Sequence, residues 1–158
     1  MLKVNKKTEY ALMALKFMGE KDNGSIVTVR EICDALKTPF DTTAKVMQAM
    51  NHHEIVKSIQ GLRGGYTLHK NLGDVTFMEI TRIAEDIKEE SVCQSSKGLC
   101  NLHNTCNIIT PIDRLNNKIV AFLEQVSLKE LFFDTDHWVT LESETSKPNL
   151  KRMLGIKS

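Results

Sequence analysis

The spacing of apolar positions divides the chain into a series of short elements. Between Lys6 and Gly19, Tyr10, Ala11, Leu12, Ala14, Leu15 and Met18 recur at helical spacing and predict a first helix. Lys21-Asp22-Asn23-Gly24-Ser25 breaks the pattern and reads as a loop. Thr28-Val29-Arg30-Glu31 has the spacing of a capping box, in which hydroxyl and carboxylate each accept from an orphan N–H. Val29, Ile32, Cys33 and Leu36 then share one face, so a short second helix should end before Pro39. A third helix is expected from Phe40 or Asp41 to Asn51, with Asp41 as N-cap. Phe40, Val46, Met47 and Met50 should point inward, leaving Thr42, Thr43, Lys45 and Gln48 largely outside.

The period then changes. Ile55-Val56-Lys57-Ser58-Ile59 and Tyr66-Thr67-Leu68 are β-prone runs around the turn Gly61-Leu62-Arg63-Gly64-Gly65, which predicts a hairpin. A second capping box, Thr76 to Glu79, should open a helix through Ile80, Ile83, Ala84 and Ile87. Residues 91–107 are polar and should be loop. Pro111 suits the start of a long helix whose stripe is Ile112, Leu115, Ile119, Phe122, Leu123 and Val126. Ser127-Leu128-Lys129-Glu130 is a third capping box. From Asp134 the chain is polar apart from Trp138, Val139 and Leu141, and no element is assigned to it.

The pattern predicts a mainly α fold with a small β-hairpin: a winged helix-turn-helix in residues 1–75, a loop with packing helices in 76–133, and a tail in 134–158. The 158 residues are 41% hydrophobic and 26% charged, enough to bury a core and too apolar for a disordered chain. No run approaches the roughly 18 apolar residues that span a bilayer. The first residues lack a signal-peptide run, so no membrane and a cytoplasmic location are expected. The net charge is only +1, but residues 1–70 carry 11 Lys/Arg against 7 Asp/Glu, and residues 71–158 carry 10 against 13. A basic first half is a modest sign of a phosphate-facing surface.

In a helix-turn-helix the third helix enters the major groove. Thr42, Thr43 and Gln48 have the hydroxyl and amide chemistry to read base edges, and Lys45 can contact phosphate or guanine. Arg63, between glycines at the hairpin tip, suits phosphate or a narrow minor groove, and Gly64 and Gly65 permit close approach and positive φ. The pattern alone is also that of a solvated helix and an ordinary hairpin.

Cys93, Cys100 and Cys106 fall within 14 residues, with six and five residues between them. Thiolates hold iron–sulfur clusters and also zinc. The loop has neither the close cysteine pairs usual for zinc nor a Cys-x-x-Cys redox motif. Spacing alone therefore leaves a cluster, another metal and plain or redox-active thiols open. Cys33, on the apolar stripe of the second helix, is expected to be a small core hydrophobe.

Tyr10-Ala11-Leu12, Thr43-Ala44-Lys45-Val46-Met47-Gln48-Ala49-Met50 and Gly61-Leu62-Arg63-Gly64-Gly65-Tyr66-Thr67-Leu68, followed by a helix and a three-cysteine loop, resemble the IscR/NsrR family of winged-helix repressors over residues 1–133. The resemblance implies a homodimer paired through the helix at 111–126 and a near-palindromic double-stranded DNA operator. It also implies a 2Fe–2S or 4Fe–4S cluster on Cys93, Cys100 and Cys106. Two positions depart from the family pattern. Its first two cysteines are commonly separated by five residues, not six, and the histidine that IscR-type members carry three residues after the last cysteine is Ile109 here. NsrR-type members instead take a carboxylate from the partner's first helix. The matching position is Glu9, with His103 as second choice. His52 and His53 read as surface or phosphate-near residues.

The function expected is a transcription repressor whose operator affinity follows a cluster sensing nitric oxide, redox or iron status. A cluster-free thiol- or zinc-responsive regulator is the alternative. A small redox enzyme has only the three cysteines in its favour. No activated nucleophile, phosphate loop or carboxylate pair accompanies them, so no enzyme is expected. An adaptor that uses the 111–126 helix without DNA is the remaining rival.

Overall fold

The computed structural model describes residues 4–87, 94–95, 98–99, 101–102 and 104–134. The first helix, α1, spans Lys6–Gly19 with Asn5 as N-cap, its side chain accepting from Lys7 N at 3.2 Å. Thr8, Ala11, Ala14, Leu15 and Met18 form its buried face. α2, Val29–Leu36, opens on the expected capping box. Glu31 N donates to Thr28 Oγ1 at 3.1 Å, and Thr28 N donates to the Glu31 carboxylate at 2.6 Å.

α3 runs from Phe40, one of the two expected starts, to His52, and departs from expectation in its cap. Pro39, not Asp41, is the N-cap, and no side chain caps the helix. Proline fixes its own φ and readily precedes a first turn, so the helix is capped two residues before Asp41. Phe40 is half exposed rather than inward, because the first turn stands clear of the core that Val46, Met47 and Met50 enter.

Strands β1, Val56–Ile59, and β2, Gly65–Leu68, pair antiparallel with Val56 opposite Leu68 and Ile59 opposite Gly65. Val27 adds an isolated bridge to β2: Val27 N donates to Tyr66 O and Tyr66 N to Val27 O, both at 2.8 Å. α4, Phe77–Glu85, is capped by Thr76, which accepts from Glu79 N at 3.2 Å. The Glu79 carboxylate pairs with Lys70 at 3.0 Å instead of reaching back to the cap. The helix ends at Asp86, left-handed at φ 53°, so Ile87 lies beyond it and is exposed.

The stretch read as loop contains a two-rung hairpin, β3 (Gln94–Ser95) and β4 (Gly98–Leu99), with Gln94 opposite Leu99. α5 covers Ile109–Leu123, with Pro111 within the first turn, where its missing N–H costs nothing. α6, Leu128–Phe133, is capped by Ser127. Its start is bonded to the segment entering α4, Leu128 N to Val75 O at 2.8 Å and Phe77 N to Val126 O at 2.9 Å.

A single core cluster contains Leu15, Ile32, Met47, Met50 and Val56 together with Ile80, Ala84 and Leu128. Packing therefore continues across position 75, where the sequence changes from hairpin to helix. α5 has no buried residue, and Leu115, Ile119 and Phe122 of its apolar stripe are each about half exposed. Of that stripe, only Val126, past the helix end, enters the interior. Among the described residues no helix is long and apolar enough to cross a membrane.

Candidate nucleic-acid interface and cysteine site

The turn between α2 and α3 is held by a small polar cluster. Thr43 is fully buried, with its hydroxyl 2.8 Å from Pro39 O and 3.0 Å from Thr38 Oγ1. Thr38 Oγ1 in turn lies 3.6 Å from Cys33 Sγ, and Cys33 and Thr38 are both buried. Thr43 is thus removed from the expected base-reading set. Its neighbours retain it as a structural hydroxyl, and a side chain with no exposed surface cannot meet a base edge. Cys33 is in the core, as its place on the apolar stripe predicts.

Lys45 and Gln48 are exposed and Thr42 is half-buried. They lie three residues apart along α3, on the side away from Val46, Met47 and Met50. The half-exposed Phe40 at the start of this helix was missed, because an aromatic beside an apolar stripe reads as core. His52 ends α3 and His53 caps it. Both are exposed, with rings edge to face at 5.4 Å.

The wing tip is displayed by tight backbone packing. Gly61 has φ 123°, a conformation that strains any side chain. Gly64 and Gly65 do not take positive φ. A Cβ on Gly65 would sit 2.7 Å from Val27 O, and one on Gly64 would sit 2.5 Å from Ile59 O. These two glycines are required by the close approach of the Val27 bridge and of the turn itself. Leu62 is fully exposed and Arg63 is exposed beside it.

Cys93, Cys100 and His103 lie outside the described residues. Cys106 is half-buried with a free thiol, in the turns that lead into α5. The β3–β4 pair occupies the interval between Cys93 and Cys100 in the sequence. Among the described residues no three His, Cys, Asp or Glu side chains gather as a metal site.

Glu9 stands on the first turn of α1, its side chain 41% exposed and bonded to Lys6 Nζ at 2.7 Å. That hydrogen bond, with the attraction of the two charges, holds the Lys6 ammonium above its ordinary pKa. The same turn is fastened to the end of α4. Thr8 Oγ1 donates to Glu85 Oε1, and Asn5 Nδ2 donates to Glu85 Oε2 at 3.3 Å. Glu9 thus stands on a turn that is fastened to α4, the helix that precedes the cysteine stretch in the sequence. Thiolates are the usual ligands of iron–sulfur clusters, and of the three cysteines Cys106 is the one described, its thiol in no disulfide.

Three helices, a paired hairpin with an exposed Arg tip and a third helix with a polar outer side define a winged helix-turn-helix DNA-binding protein. The family model described as "Rrf2: Iron-dependent Transcriptional regulator" matches residues 4–134, and the chain belongs to that family. It is a transcription regulator and not an enzyme.

The HTH-type transcriptional regulator NsrR of Bacillus licheniformis is 24% identical over 137 residues, covering 86% of this chain and 96% of that protein. Two solved structures share the fold. CymR, the global cysteine regulator of B. subtilis, superposes with a TM-score of 0.65 at 20% identity, covering 86% of this chain and 100% of that one. T. potens IscR superposes with a TM-score of 0.62 at 17% identity, covering 94% and 96%.

Proposed function

We propose that this regulator is a cytoplasmic, dimeric repressor whose operator affinity depends on an iron–sulfur cluster held by Cys93, Cys100 and Cys106, with Glu9 of a second copy as fourth ligand. The observation that carries the reading is the match of a family of iron-dependent regulators across residues 4–134, a span that contains all four donors. A bound cluster, 2Fe–2S or 4Fe–4S, supplies iron that reacts with oxidants or nitric oxide. The residues of the chain do the rest. Thr42, Lys45 and Gln48 face the major groove, and Arg63 reaches phosphate or the minor groove from the wing. The exposed Leu115, Ile119 and Phe122 of α5 pair with the same stripe of a second copy. The Thr8–Glu85 and Asn5–Glu85 bonds join the segment leading into the cysteines to the helix that carries Glu9, and we propose this contact as the route between the two.

Selection of bound duplexes from a random pool by anaerobically purified protein tests this reading. The expected result is a near-palindrome with half-sites about 34–36 Å apart, bound with a steep salt dependence and differently by holo and apo protein. Failure to enrich any duplex would remove DNA recognition by this surface.

The second reading is a cluster-free thiol- or zinc-responsive regulator. It is favoured by the likeness in fold to a protein described as a global cysteine regulator and by the half-buried free thiol of Cys106. An apo protein that binds its operator fully and releases it on thiol oxidation would select that alternative.

A further inference from the structure

A cleft of about 540 Å³ lies between the end of α1 with its following loop, the end of β2 with its following loop, and α6. Met18, Leu72 and Phe133 give it an apolar floor. Its rim carries Lys21, Lys70 and Lys129 against one acid, Asp22. Lys70 is engaged with Glu79 at 3.0 Å, and the Lys21 ammonium stands 4.7 Å above the Phe17 ring, which leaves Lys21 and Lys129 to set the sign of the rim. The cleft is at the Leu68 end of the hairpin, away from the tip at Leu62 and Arg63, so it is separate from the DNA-facing surface.

Phe133 is both a wall of this cleft and the last residue of α6. It is 45% exposed, and it packs so near the end of α1 that a Cβ on Gly19 would lie 3.4 Å from its Cζ. The chain therefore continues from the lip of the cleft. Beyond Asp134, residues 135–144 carry Asp136, Glu142 and Glu144 and no Lys or Arg, together with Trp138, Val139 and Leu141. Acid and apolar groups in one short segment complement a rim of lysines over an apolar floor. The following stretch, with Lys147, Lys151, Arg152 and Lys157, has the opposite sign and would be repelled.

We infer that the cleft is the docking site of the chain's own segment 135–144, with Trp138 on the apolar floor and the acids against Lys21 and Lys129. Trp138 is five residues beyond Phe133, within an extended reach of about 17 Å. A tether that short gives an effective concentration of order millimolar, so contacts too weak to hold a free peptide suffice. Docked, the segment braces the end of α1, the base of the wing and α6 against one another.

Trp138 is the only tryptophan of the chain, so its fluorescence reads the docking directly in the full-length protein. The emission should be blue-shifted and poorly quenched by acrylamide. Lys21→Glu with Lys129→Glu should shift it red and raise quenching several-fold, with helix content by circular dichroism unchanged. Asp136→Lys with Glu142→Lys should do the same, and all four changes together should restore shelter. A Trp138 as freely quenched in the native protein as in urea would overturn the inference. So would a sheltered Trp138 that either pair of reversals leaves unmoved, or a failure of the fourfold variant to recover.

Discussion

The hydroxyl of Thr43 lies 3.0 Å from that of Thr38, across the turn that sets α3 against α2. Thr43 sits among the polar residues of the recognition helix, yet it serves the fold. Replacing it with Val keeps the shape and removes the hydroxyl, which should cost about 1 kcal/mol of stability. Operator affinity should be retained at temperatures where the variant is folded. Thr42→Ala should do the reverse, leaving the melting temperature within a degree or so and weakening specific binding. Thermal melts and gel shifts on both variants check the pair. A Thr43→Val protein with native stability and no operator binding would return Thr43 to the interface.

The wing separates display from contact. Arg63→Ala should weaken binding to all duplexes alike and reduce the salt slope by about one. Gly65→Ala acts through the fold, because its Cβ would meet Val27 O at 2.7 Å. It should destabilise by about 1–3 kcal/mol. Equal affinity of the Arg63→Ala protein at every salt concentration would take the tip off the DNA.

The capping box of α2 predicts a pH dependence. The hydrogen bond from Thr28 N holds the Glu31 carboxyl below its ordinary pKa. A depressed carboxylate stabilises the fold above its unfolded pKa, and that contribution is lost as pH falls through the folded value. Wild type should therefore melt above Glu31→Gln at neutral pH, and the gap should close in acid below about pH 4. A gap that is constant with pH would assign the effect to shape alone. Thr28→Ala removes the other half of the box and should cost about 1 kcal/mol.

Leu115, Ile119 and Phe122 leave a stripe of α5 open to solvent, which a second copy is expected to cover. Ile119→Glu places a charge in the middle of that stripe and should convert the dimer to a monomer in sedimentation. The monomer should lose most of its operator affinity, because one reading head replaces two. A variant that sediments as a dimer would move the interface off α5.

Most of the fold was legible because its signals are local. Hydrophobic period placed α1 at its observed bounds and ended α2 before Pro39, and Thr28 with Glu31 marked a helix start with both hydrogen bonds in place. The misreadings lie where side-chain partners or burial overrule residue type. Glu79 has the spacing of a reciprocal cap but is drawn to Lys70, nine residues upstream. Thr43 has a base-reading side chain, but it stands three, four and seven residues before Val46, Met47 and Met50, so the helical period puts it on the buried face, where its hydroxyl meets Thr38 and Pro39. Phe40 looks like core, but the first turn of α3 stands outside it. The apolar stripe of α5 was legible as a packing stripe. Its near-complete lack of cover within one chain is a tertiary fact. The three cysteines were legible as a group whose spacing leaves a cluster, another metal or free thiols open, and Cys93 and Cys100 lie outside the described residues.

The most direct test of the central claim is anaerobic purification with a visible spectrum and iron and sulfide assays per protomer, on wild type, Glu9→Ala and the Cys93→Ser, Cys100→Ser and Cys106→Ser variants. The account predicts a coloured protein with matched iron and sulfide. Each cysteine substitution should abolish the colour, and Glu9→Ala should leave it less stable. A colourless wild type that takes up no iron on reconstitution would contradict it and leave a winged-helix regulator governed by thiols or zinc.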